Sequence, residues 1–514
     1  MPTYLSPGVY VEEVEAGSRP IEGAGTAVAA FVGLAADGPL NTPTLVSNWS
    51  QFTQTFGEFV PGSYLAHAVY GYFMNGGGNC YIVRIGPDGA QGNGQQKALA
   101  ASPQVALGGY RVTAIEEGRA AKPLTIEVTD PGAENAPEGS FKLLVKRDGK
   151  VVEEYDPVTT AKGAQNVVTV VNAKSKTIKI EEVATGAALQ KPDKGAVTLK
   201  VEKPSKRDEP PPLAPDHYVG DAAERTGFGG LEAVDEVTMV CVPDLMAAYE
   251  QGQLDDDGFK AVQLAMIAHC ELMGDRVAIL DPPRGLNAQK IKDWRVDVAG
   301  YDSKYAALYY PWIKVLDPAS GQSIFIPPSG HVAGIWGRND DTRGVHKAPA
   351  NEVVRGALAL ELQLTKNEHD LLNPLGINCI RAFPARGIRV WGARTLSSDP
   401  AWRYLNVRRL FNYLEESILN GTQWVVFEPN DPALWAKIRR TIASFLVMEW
   451  RKGALFGRTP DEAFYVKCDD ETNPSESIDV GQVVCEIGIA PVKPAEFVIF
   501  RLAQFSGGTS LINE

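Results

Sequence analysis

The stretch Val237-Thr-Met-Val-Cys-Val242 is the best guide to the fold of this sequence. It is almost wholly apolar and ends at Pro243-Asp244, as expected of a strand buried on both faces of a sheet. Residues 258–273 then predict a helix that stops at Gly274, and Arg276-Val-Ala-Ile-Leu280 predicts a second buried strand. A strand, a helix and another strand in succession are typical of a parallel α/β sheet.

The same alternation continues on both sides of this stretch. Upstream, Cys80-Tyr-Ile-Val-Arg84 predicts a strand, and downstream a helix is expected near 288–298 and a strand near 305–315. Two longer helices are predicted at 399–421 and 431–453, since each begins with Asp-Pro and ends at glycine. The predicted fold class is therefore a mixed α/β core.

Residues 88–216 differ in composition from the rest of the chain. They contain three aromatic residues and none of the Trp, Cys, His or Met, although 9% of the whole chain is aromatic. Short β-type runs separated by turn residues predict a β-rich domain inserted into the core. That this domain projects on the outer surface is a separate hypothesis. These runs are Leu124-Thr-Ile-Glu-Val128, Phe141-Lys-Leu-Leu-Val145, Val167-Val-Thr-Val-Val171, Thr177-Ile-Lys-Ile180 and Val197-Thr-Leu-Lys-Val201.

Both ends of the sequence look incomplete for a self-contained domain. Val9-Tyr10-Val11 is strand-like, and Glu496-Phe497-Val498-Ile499-Phe500-Arg-Leu502 is apolar on both faces of its alternation. Such a strand needs pairing partners on both sides, because unpaired backbone groups in apolar surroundings are costly. It is either a central strand of the chain's own sheet or an arm added to a neighbouring subunit.

These features divide the chain into an N-terminal arm, two core segments that flank an insert, and a C-terminal arm. In sequence order they cover residues 1–22, 23–87, 88–216, 217–494 and 495–514.

Composition excludes several classes of protein. The chain has 514 residues and a formal net charge of −13, which argues against a general nucleic-acid binder. No signal peptide and no membrane-spanning run is expected. The six cysteines are widely spaced and form no CxxC pair, so neither a disulfide framework nor a zinc site is predicted, and a reducing compartment is expected.

Candidate catalytic residues are few. Asp244 and Asp281 each follow a predicted buried strand, where α/β enzymes place catalytic groups. No nucleophile motif, phosphate-binding loop or dinucleotide fingerprint accompanies them, and Asp-Pro is also ordinary turn sequence. We therefore expect no catalytic site, no cofactor and no metal.

A basic stripe marks the predicted helix at 431–453. At 100° per residue its apolar residues form one stripe, while Lys437, Arg440 and Arg451 fall on another, with Ser444 among them. In a protein of net negative charge this stripe is either a solvated helix face or a contact with an acidic partner.

Several segments resemble the contractile tail sheath proteins of myophages, R-type bacteriocins and bacterial contractile injection systems. Any one of them is a weak signal, but their order along one chain is specific, and the insert at 88–216 is not covered. The segments are Ser6-Pro-Gly-Val-Tyr-Val-Glu-Glu-Val14, Pro327-Pro-Ser-Gly-His-Val-Ala-Gly-Ile-Trp-Gly-Arg338, Gly344-Val-His-Lys-Ala-Pro-Ala-Asn351, Val390-Trp-Gly-Ala-Arg-Thr-Leu396, Tyr404-Leu-Asn-Val-Arg-Arg409 and Trp424-Val-Val-Phe-Glu-Pro-Asn-Asp431.

The resemblance implies a structural protein that polymerises as a helical stack of rings around an inner tube and contracts from a metastable extended state. It implies that arms from neighbouring subunits complete a sheet, which assigns this role to Val9, Tyr10 and Val11 and to the segment of Phe497, Val498, Ile499, Phe500 and Leu502. It also implies that Lys437, Arg440 and, more weakly, Arg451 face the tube.

The resemblance further implies other partners and a place of assembly. The partners are the inner tube protein, the baseplate and terminal cap proteins, with no nucleic acid and no direct membrane insertion. Assembly into a phage tail or tail-like particle would take place in the cytoplasm of the producing bacterium. An α/β enzyme that uses Asp244 or Asp281, and a surface-layer or adhesin-like protein, are the alternatives.

Overall fold

The structure, a computed structural model, describes residues 20–86, most of 104–199 with short gaps, and 213–501. It separates into two compact units, Met1–Gly89 with Pro212–Glu514 and Ala90–Pro211. Helices and strands alternate in the larger unit and strands dominate the smaller one, so the predicted mixed α/β fold class is confirmed. The predicted boundaries of the arms stay predictions.

The strands and helices are numbered in chain order. The strands are β1 (Ala29–Gly33), β2 (Thr44–Val46), β3 (Cys80–Arg84), β4 (Gln104–Leu107), β5 (Tyr110–Ala114), β6 (Leu124–Thr129), β7 (Phe141–Arg147), β8 (Lys150–Val158), β9 (Ile178–Glu182), β10 (Gly195–Thr198), β11 (Met239–Cys241), β12 (Val277–Leu280), β13 (Ala306–Tyr310), β14 (Ile313–Leu316), β15 (Ser323–Ile326), β16 (Glu352–Val353), β17 (Ala357–Leu360), β18 (Ile377–Phe383), β19 (Gly387–Val390), β20 (Phe464–Lys467) and β21 (Glu486–Ile489). The helices are α1 (Trp49–Phe56), α2 (Leu65–Met74), α3 (Val167–Lys174), α4 (Pro215–Val219), α5 (Asp244–Glu250), α6 (Asp256–Met273), α7 (Ala288–Asp293), α8 (Ser329–Arg343), α9 (Lys366–Leu372), α10 (Leu405–Gly421), α11 (Pro432–Arg451), α12 (Pro460–Ala463) and α13 (Ser475–Asp479).

A nine-stranded sheet forms the centre of the larger unit. Its order is β16-β19-β18-β13-β12-β11-β1-β3-β2, and the six strands from β18 to β3 are parallel. The antiparallel strands β2, β19 and β16 lie at its edges. The chain passes from β1 to β3 on one side and later returns to β11 on the other. The sheet therefore changes winding direction between β1 and β11, as in doubly wound folds.

Both faces of this sheet are buried. In β1, Ala30 and Val32 belong to one apolar core, and Ala29 and Phe31 belong to the other. Helices α5, α6, α7 and α9 contribute to the first core, and α1, α2 and α8 contribute to the second. This three-layer arrangement explains why the central strands are continuous apolar runs.

Most of the predicted core elements are confirmed. Helix α6 follows the N-cap residue Asp255, whose carboxylate accepts from the Gly258 N–H at 2.8 Å. The helix ends at Gly274, whose φ of 72° is left-handed, as the sequence predicted. The strand expected at 305–315 is divided into β13 and β14 by Pro311-Trp312.

Two predicted elements were wrong. The run 167–171, predicted as a strand, is the first part of helix α3. The Asn166 side chain accepts from the N–H groups of Val168 and Thr169, which starts the helix, and Val167 and Val171 are buried one turn apart. An N-cap and tertiary burial have overridden the strand preference of β-branched residues.

The second error concerns the start of helix α10. Asp399-Pro400 does not begin this helix, which starts at Leu405. The chain before it is extended, because the Thr395 N–H donates to the Arg403 carbonyl at 2.9 Å. The Asp399 carboxylate instead accepts from the Ala401 N–H in a separate turn.

The last part of the larger unit has its own apolar core, formed mainly by α10, α11 and the β20–β21 pair. Ile21, near the start of the described chain, is also buried in this core. The smaller unit combines the sheets β10-β6-β7-β8 and β4-β5-β9 with α3 around a separate core.

Candidate functional site

Helix α11 is amphipathic in the way the sequence predicts. Its N-cap is Asp431, whose Oδ1 accepts from the Leu434 N–H at 2.7 Å. Its apolar stripe is buried, because it forms the centre of the C-terminal core. The stripe consists of Leu434, Trp435, Ile438, Ile442, Phe445 and Leu446.

The predicted basic stripe lies on the opposite side of α11. Arg440, Ser444 and Arg451 are exposed, and Lys437 is half-buried because its Nζ lies 4.0 Å from the centre of the Trp424 ring. Within the described ranges, no carboxylate lies within 4 Å of the three basic groups. This face therefore presents positive charge that the described protein does not neutralise.

Phe427, in the loop before α11, is a feature that sequence reasoning missed. Its side chain is fully exposed, and its φ of 69° places a bulky residue in the left-handed region. Such a conformation is rare without glycine and clusters at functional positions. The loop is fixed nearby, because Asn430 accepts from the Trp435 indole N–H at 2.8 Å and donates to the Gln482 carbonyl at 2.9 Å.

Glu496 fixes the start of the predicted C-terminal arm. Its Oε1 and Oε2 accept from the Arg394 guanidinium at 2.9 and 2.6 Å, and Oε1 also accepts from Asn373 at 2.8 Å. The Tyr404 hydroxyl donates to Oε2 at 3.3 Å. Burial opposes ionisation, but the Arg394 and Asn373 hydrogen bonds hold the pKa of Glu496 below its ordinary value.

The chain beyond Glu496 is apolar and exposed. Phe497, Val498, Ile499 and Phe500 have exposed fractions of 66% to 85%, and residues 496–501 form no strand. Through residue 501, the segment is therefore not a central strand of the chain's own sheet. Leu502, and Val9, Tyr10 and Val11 of the N-terminal arm, lie outside the described residues.

Near the other end, the chain is fixed against α10. Ile21 is buried, and a Cβ placed on Gly421 would lie 2.6 Å from its side chain. The Ala24 N–H donates to the Ser417 hydroxyl at 2.9 Å. Both predicted arms thus adjoin residues that are firmly packed on the body.

Asp244 lies at the point where the sheet changes winding direction, but its carboxylate is used in the fold. It accepts from the N–H groups of Leu34, Tyr64 and Leu65 and from the Ser63 hydroxyl, which joins the end of β1 to the start of α2. Burial raises its pKa to about 6.

Asp281 has the same kind of role after β12. Its Oδ1 accepts from the Ser329 N–H at 3.0 Å at the start of α8, and burial raises its pKa to about 7. Both carboxylates therefore accept hydrogen bonds from N–H groups at the starts of helices.

The described residues contain no group of three or more His, Cys, Asp or Glu side chains that could hold a metal ion. Of their helices, none combines the length and the apolar character needed to cross a bilayer. His331 is enclosed in the core, and burial lowers its pKa to about 4, so it is a neutral packing residue.

Comparisons with known proteins agree with one family. Residues 231–396 match the phage tail sheath protein central domain, and residues 397–505 match the phage tail sheath C-terminal domain. The tail sheath protein of Burkholderia phage BcepMu is 23% identical over 96% of this chain and 95% of its own length. That of Vibrio phage KVP40 is 26% identical over 45% of this chain, and the alignment spans 37% of the KVP40 protein.

The fold agrees with a solved sheath structure. The helical sheath of the anti-feeding prophage in its contracted state matches with a TM-score of 0.58 and 24% identity, over 98% of this chain and all of that chain. Relatives in this family are structural proteins, so the alternative of an α/β enzyme has no support. The chain belongs to the phage tail sheath protein family.

Proposed function

We propose that this protein polymerises as a helical stack of rings around an inner tube and contracts from a metastable extended state to drive the tube through a target envelope. The observation that carries this proposal is the apolar segment 497–500, which is exposed directly after the tethered Glu496. A lone globular protein rarely leaves such a run in water. A subunit that adds this segment as a strand to a neighbour's sheet needs the segment to be unpaired in its own fold.

The chemistry of the segment favours strand addition. Its backbone N–H and C=O groups need partners once its apolar side chains are buried, and the edge of a neighbour's sheet supplies both. Each copy would give one arm and receive another, with Val9, Tyr10 and Val11 in the N-terminal arm and Leu502 in the C-terminal arm. Such head-to-tail contacts do not close on themselves, so they produce an open filament.

The basic face of α11 is the proposed contact with the inner tube. Lys437, Arg440 and Arg451 have no carboxylate partner in the described protein, so acidic groups on the tube surface would form ion pairs with them. Exposed ion pairs contribute about 0–1 kcal/mol each, which suits a contact that must register the tube and then release it. Phe427, exposed in the loop before α11, would add an aromatic contact with the tube.

Contraction would use stored conformational free energy. A kinetic barrier holds the extended state until a baseplate releases it, and the subunits then move nearly as rigid bodies. The arms would act as hinges between neighbouring subunits, with Glu496 as the fixed point on each body. The particle would be assembled in the cytoplasm of the producing bacterium as a phage tail or tail-like particle, between baseplate and terminal cap proteins.

Electron microscopy of the purified chain tests the assembly. Long hollow cylinders are expected, because the exposed apolar segment 497–500 would pair with a neighbour. Compact single particles at every concentration would contradict the proposal.

Charge reversal tests the tube contact. Lys437→Glu with Arg440→Glu should leave sheath polymerisation intact and abolish co-purification with the inner tube protein. The matched control is Lys290→Glu with Lys366→Glu, two exposed lysines near the starts of α7 and α9. Tube retention by the α11 variant, or equal loss in the control, would reject α11 as the tube contact.

A further inference from the structure

Two cysteines lie at the end of the β20–β21 pair. Lys467, the last residue of β20, is opposite Glu486, the first residue of β21. Cys468 and Cys485 are the next residues beyond this last pair, and their side chains are hydrogen-bonded to each other. Both are free thiols, Cys468 buried and Cys485 half-buried.

The backbone hydrogen bonds of β20 and β21 indicate whether the cysteine position corresponds to a hydrogen-bonded or a non-hydrogen-bonded pair of residues. The Ala490 N–H donates to the Ala463 carbonyl at 2.8 Å just before β20, which sets the phase of the bonded pairs along the two strands. Bonded and non-bonded pairs alternate along antiparallel strands, and Cys468 lies five positions from Ala463. Extended by one position beyond Lys467 and Glu486, this register places the cysteines in a non-bonded pair, where Cα atoms are about 4.5 Å apart and side chains are closest. A disulfide accepts Cα separations of about 4.4–6.8 Å.

Neighbouring groups hold the two thiols in place. The Asn473 amide donates to the Cys468 Sγ at 3.7 Å, and the same side chain exchanges two hydrogen bonds with the backbone of Val484, beside Cys485. Burial, followed by the adjacent Cys468 thiol, raises the pKa of Cys485 to about 12. The pair is thus kept as protonated thiols at neutral pH, which slows its oxidation.

We propose that Cys468 and Cys485 are a redox-modification site that closes to a cross-strand disulfide with a small-molecule disulfide as oxidant. The half-exposed Cys485 loses its proton and attacks one sulfur of the oxidant, which releases one thiol and leaves a mixed disulfide. Deprotonated Cys468 then attacks the Cys485 sulfur and releases the second thiol. Two electrons and two protons pass from the pair to the oxidant, which is reduced to two thiols.

The disulfide would link the two strands that precede the C-terminal segment. It joins β20 to β21, and the chain from β21 runs within a few residues to Glu496 and the exposed apolar segment. Closing the loop between the cysteines restricts the unfolded chain, so the β20–β21 region becomes more stable. A reducing cytoplasm keeps the thiols open, and an oxidising medium outside the cell allows closure.

The test compares the full chain after incubation with oxidised glutathione and after incubation with dithiothreitol. Intact mass should fall by two hydrogens per chain on oxidation, and peptide mapping should join Cys468 to Cys485. The melting temperature of the oxidised protein should be several degrees higher. Cys485→Ser should abolish both the link and the shift, whereas Cys270→Ser, a buried cysteine on α6, should keep them.

Three results would overturn the proposal. One is a glutathione adduct on Cys485 without ring closure, and another is a link between chains in place of the internal one. The third is a complete internal link with no change in melting temperature, which would remove the stabilising role. None of these measurements depends on polymerisation, so the outcome is separate from that of the sheath proposal.

Discussion

At the scale of the residue, Glu496 determines where the C-terminal segment leaves the body. We expect Glu496→Gln to free this segment, since the neutral amide cannot replace two charge-assisted bonds from Arg394. Hydrogen bonds to charged groups contribute about 1.5–3 kcal/mol, so local opening should become roughly ten- to a hundredfold more frequent. Hydrogen exchange at residues 490–496 measures this.

The matched control for this prediction is Glu471→Gln. Glu471 pairs with Lys467 in the same part of the chain, but its side chain is largely exposed, so its loss should change little. Equal exchange in Glu496→Gln and the wild type would mean that Glu496 does not hold the segment.

Asp281 makes the stability of the protein depend on pH. Its pKa is about 7 in the folded state and 3.8 in the unfolded chain, because burial disfavours its charge. Between these values the folded state binds more protons, so the free energy of unfolding falls as pH rises, by up to about 1.4 kcal/mol per unit. Urea unfolding at pH 5 to 8 measures the slope.

A neutral substitution should remove this contribution. The amide oxygen of Asp281→Asn still accepts from the Ser329 N–H without charge, so the variant should show a flatter profile. Asp470→Asn, at an exposed turn, should keep the wild-type slope. A wild-type slope in Asp281→Asn would show that the carboxyl titrates outside this range.

Single residues also show the limit of sequence analysis. The position of Asp244 after a buried strand was predictable, but its function in joining β1 to α2 required knowing that the chain returns beside β1. Phe427 has no signal of its own, because an aromatic residue in an apolar run predicts burial. Its exposure follows from a left-handed turn that the sequence does not specify.

At the scale of the element, helix α11 has one buried apolar face that stabilises the fold and one exposed basic face that is available for contacts. We expect Ile442→Ala to destabilise the C-terminal core by about 2–5 kcal/mol, because the Ile442 side chain is buried in the core that α10, α11 and β20 form together. Ser444→Ala, on the exposed face of the same helix, should change the free energy of unfolding by less than about 0.5 kcal/mol. Denaturant unfolding checks both, and similar losses in the two variants would contradict this division.

Elements with strong terminal signals were the predictable ones. Helices α6 and α11 have an aspartate N-cap and a clear apolar stripe, and the structure confirms both. Helix α3 was missed, because its valines favour strands, whereas the Asn166 N-cap and burial in the smaller unit's core select the helix. The start of α10 was missed because the chain before it pairs with residues 394–395, a contact that spacing cannot reveal.

At the scale of the whole molecule, the sequence predicted the fold class but not how distant residues meet. The composition change at 88–216 and the compact unit Ala90–Pro211 are separate observations of the same region, which has its own apolar core. The order of the nine-stranded sheet and the proximity of Cys468 and Cys485 depend on long-range pairing. Residue spacing alone carries no signal for either.

The free C-terminal segment makes a final prediction about assembly. A chain that ends after Glu496 keeps the Arg394 contact and every buried residue of the C-terminal core. It should therefore fold with the circular dichroism spectrum and melting temperature of the full chain.

The same truncation should not form cylinders, because the strand that would pair with a neighbour is gone. Substitution of Phe497, Val498, Ile499 and Phe500 by serine is the control, since it keeps the length of the chain and removes only the apolar side chains. Both variants should remain monomers by light scattering at concentrations where the full chain polymerises. Cylinders of normal length from the truncated chain would mean that the subunits are joined by another surface, and strand exchange through this segment would have to be abandoned.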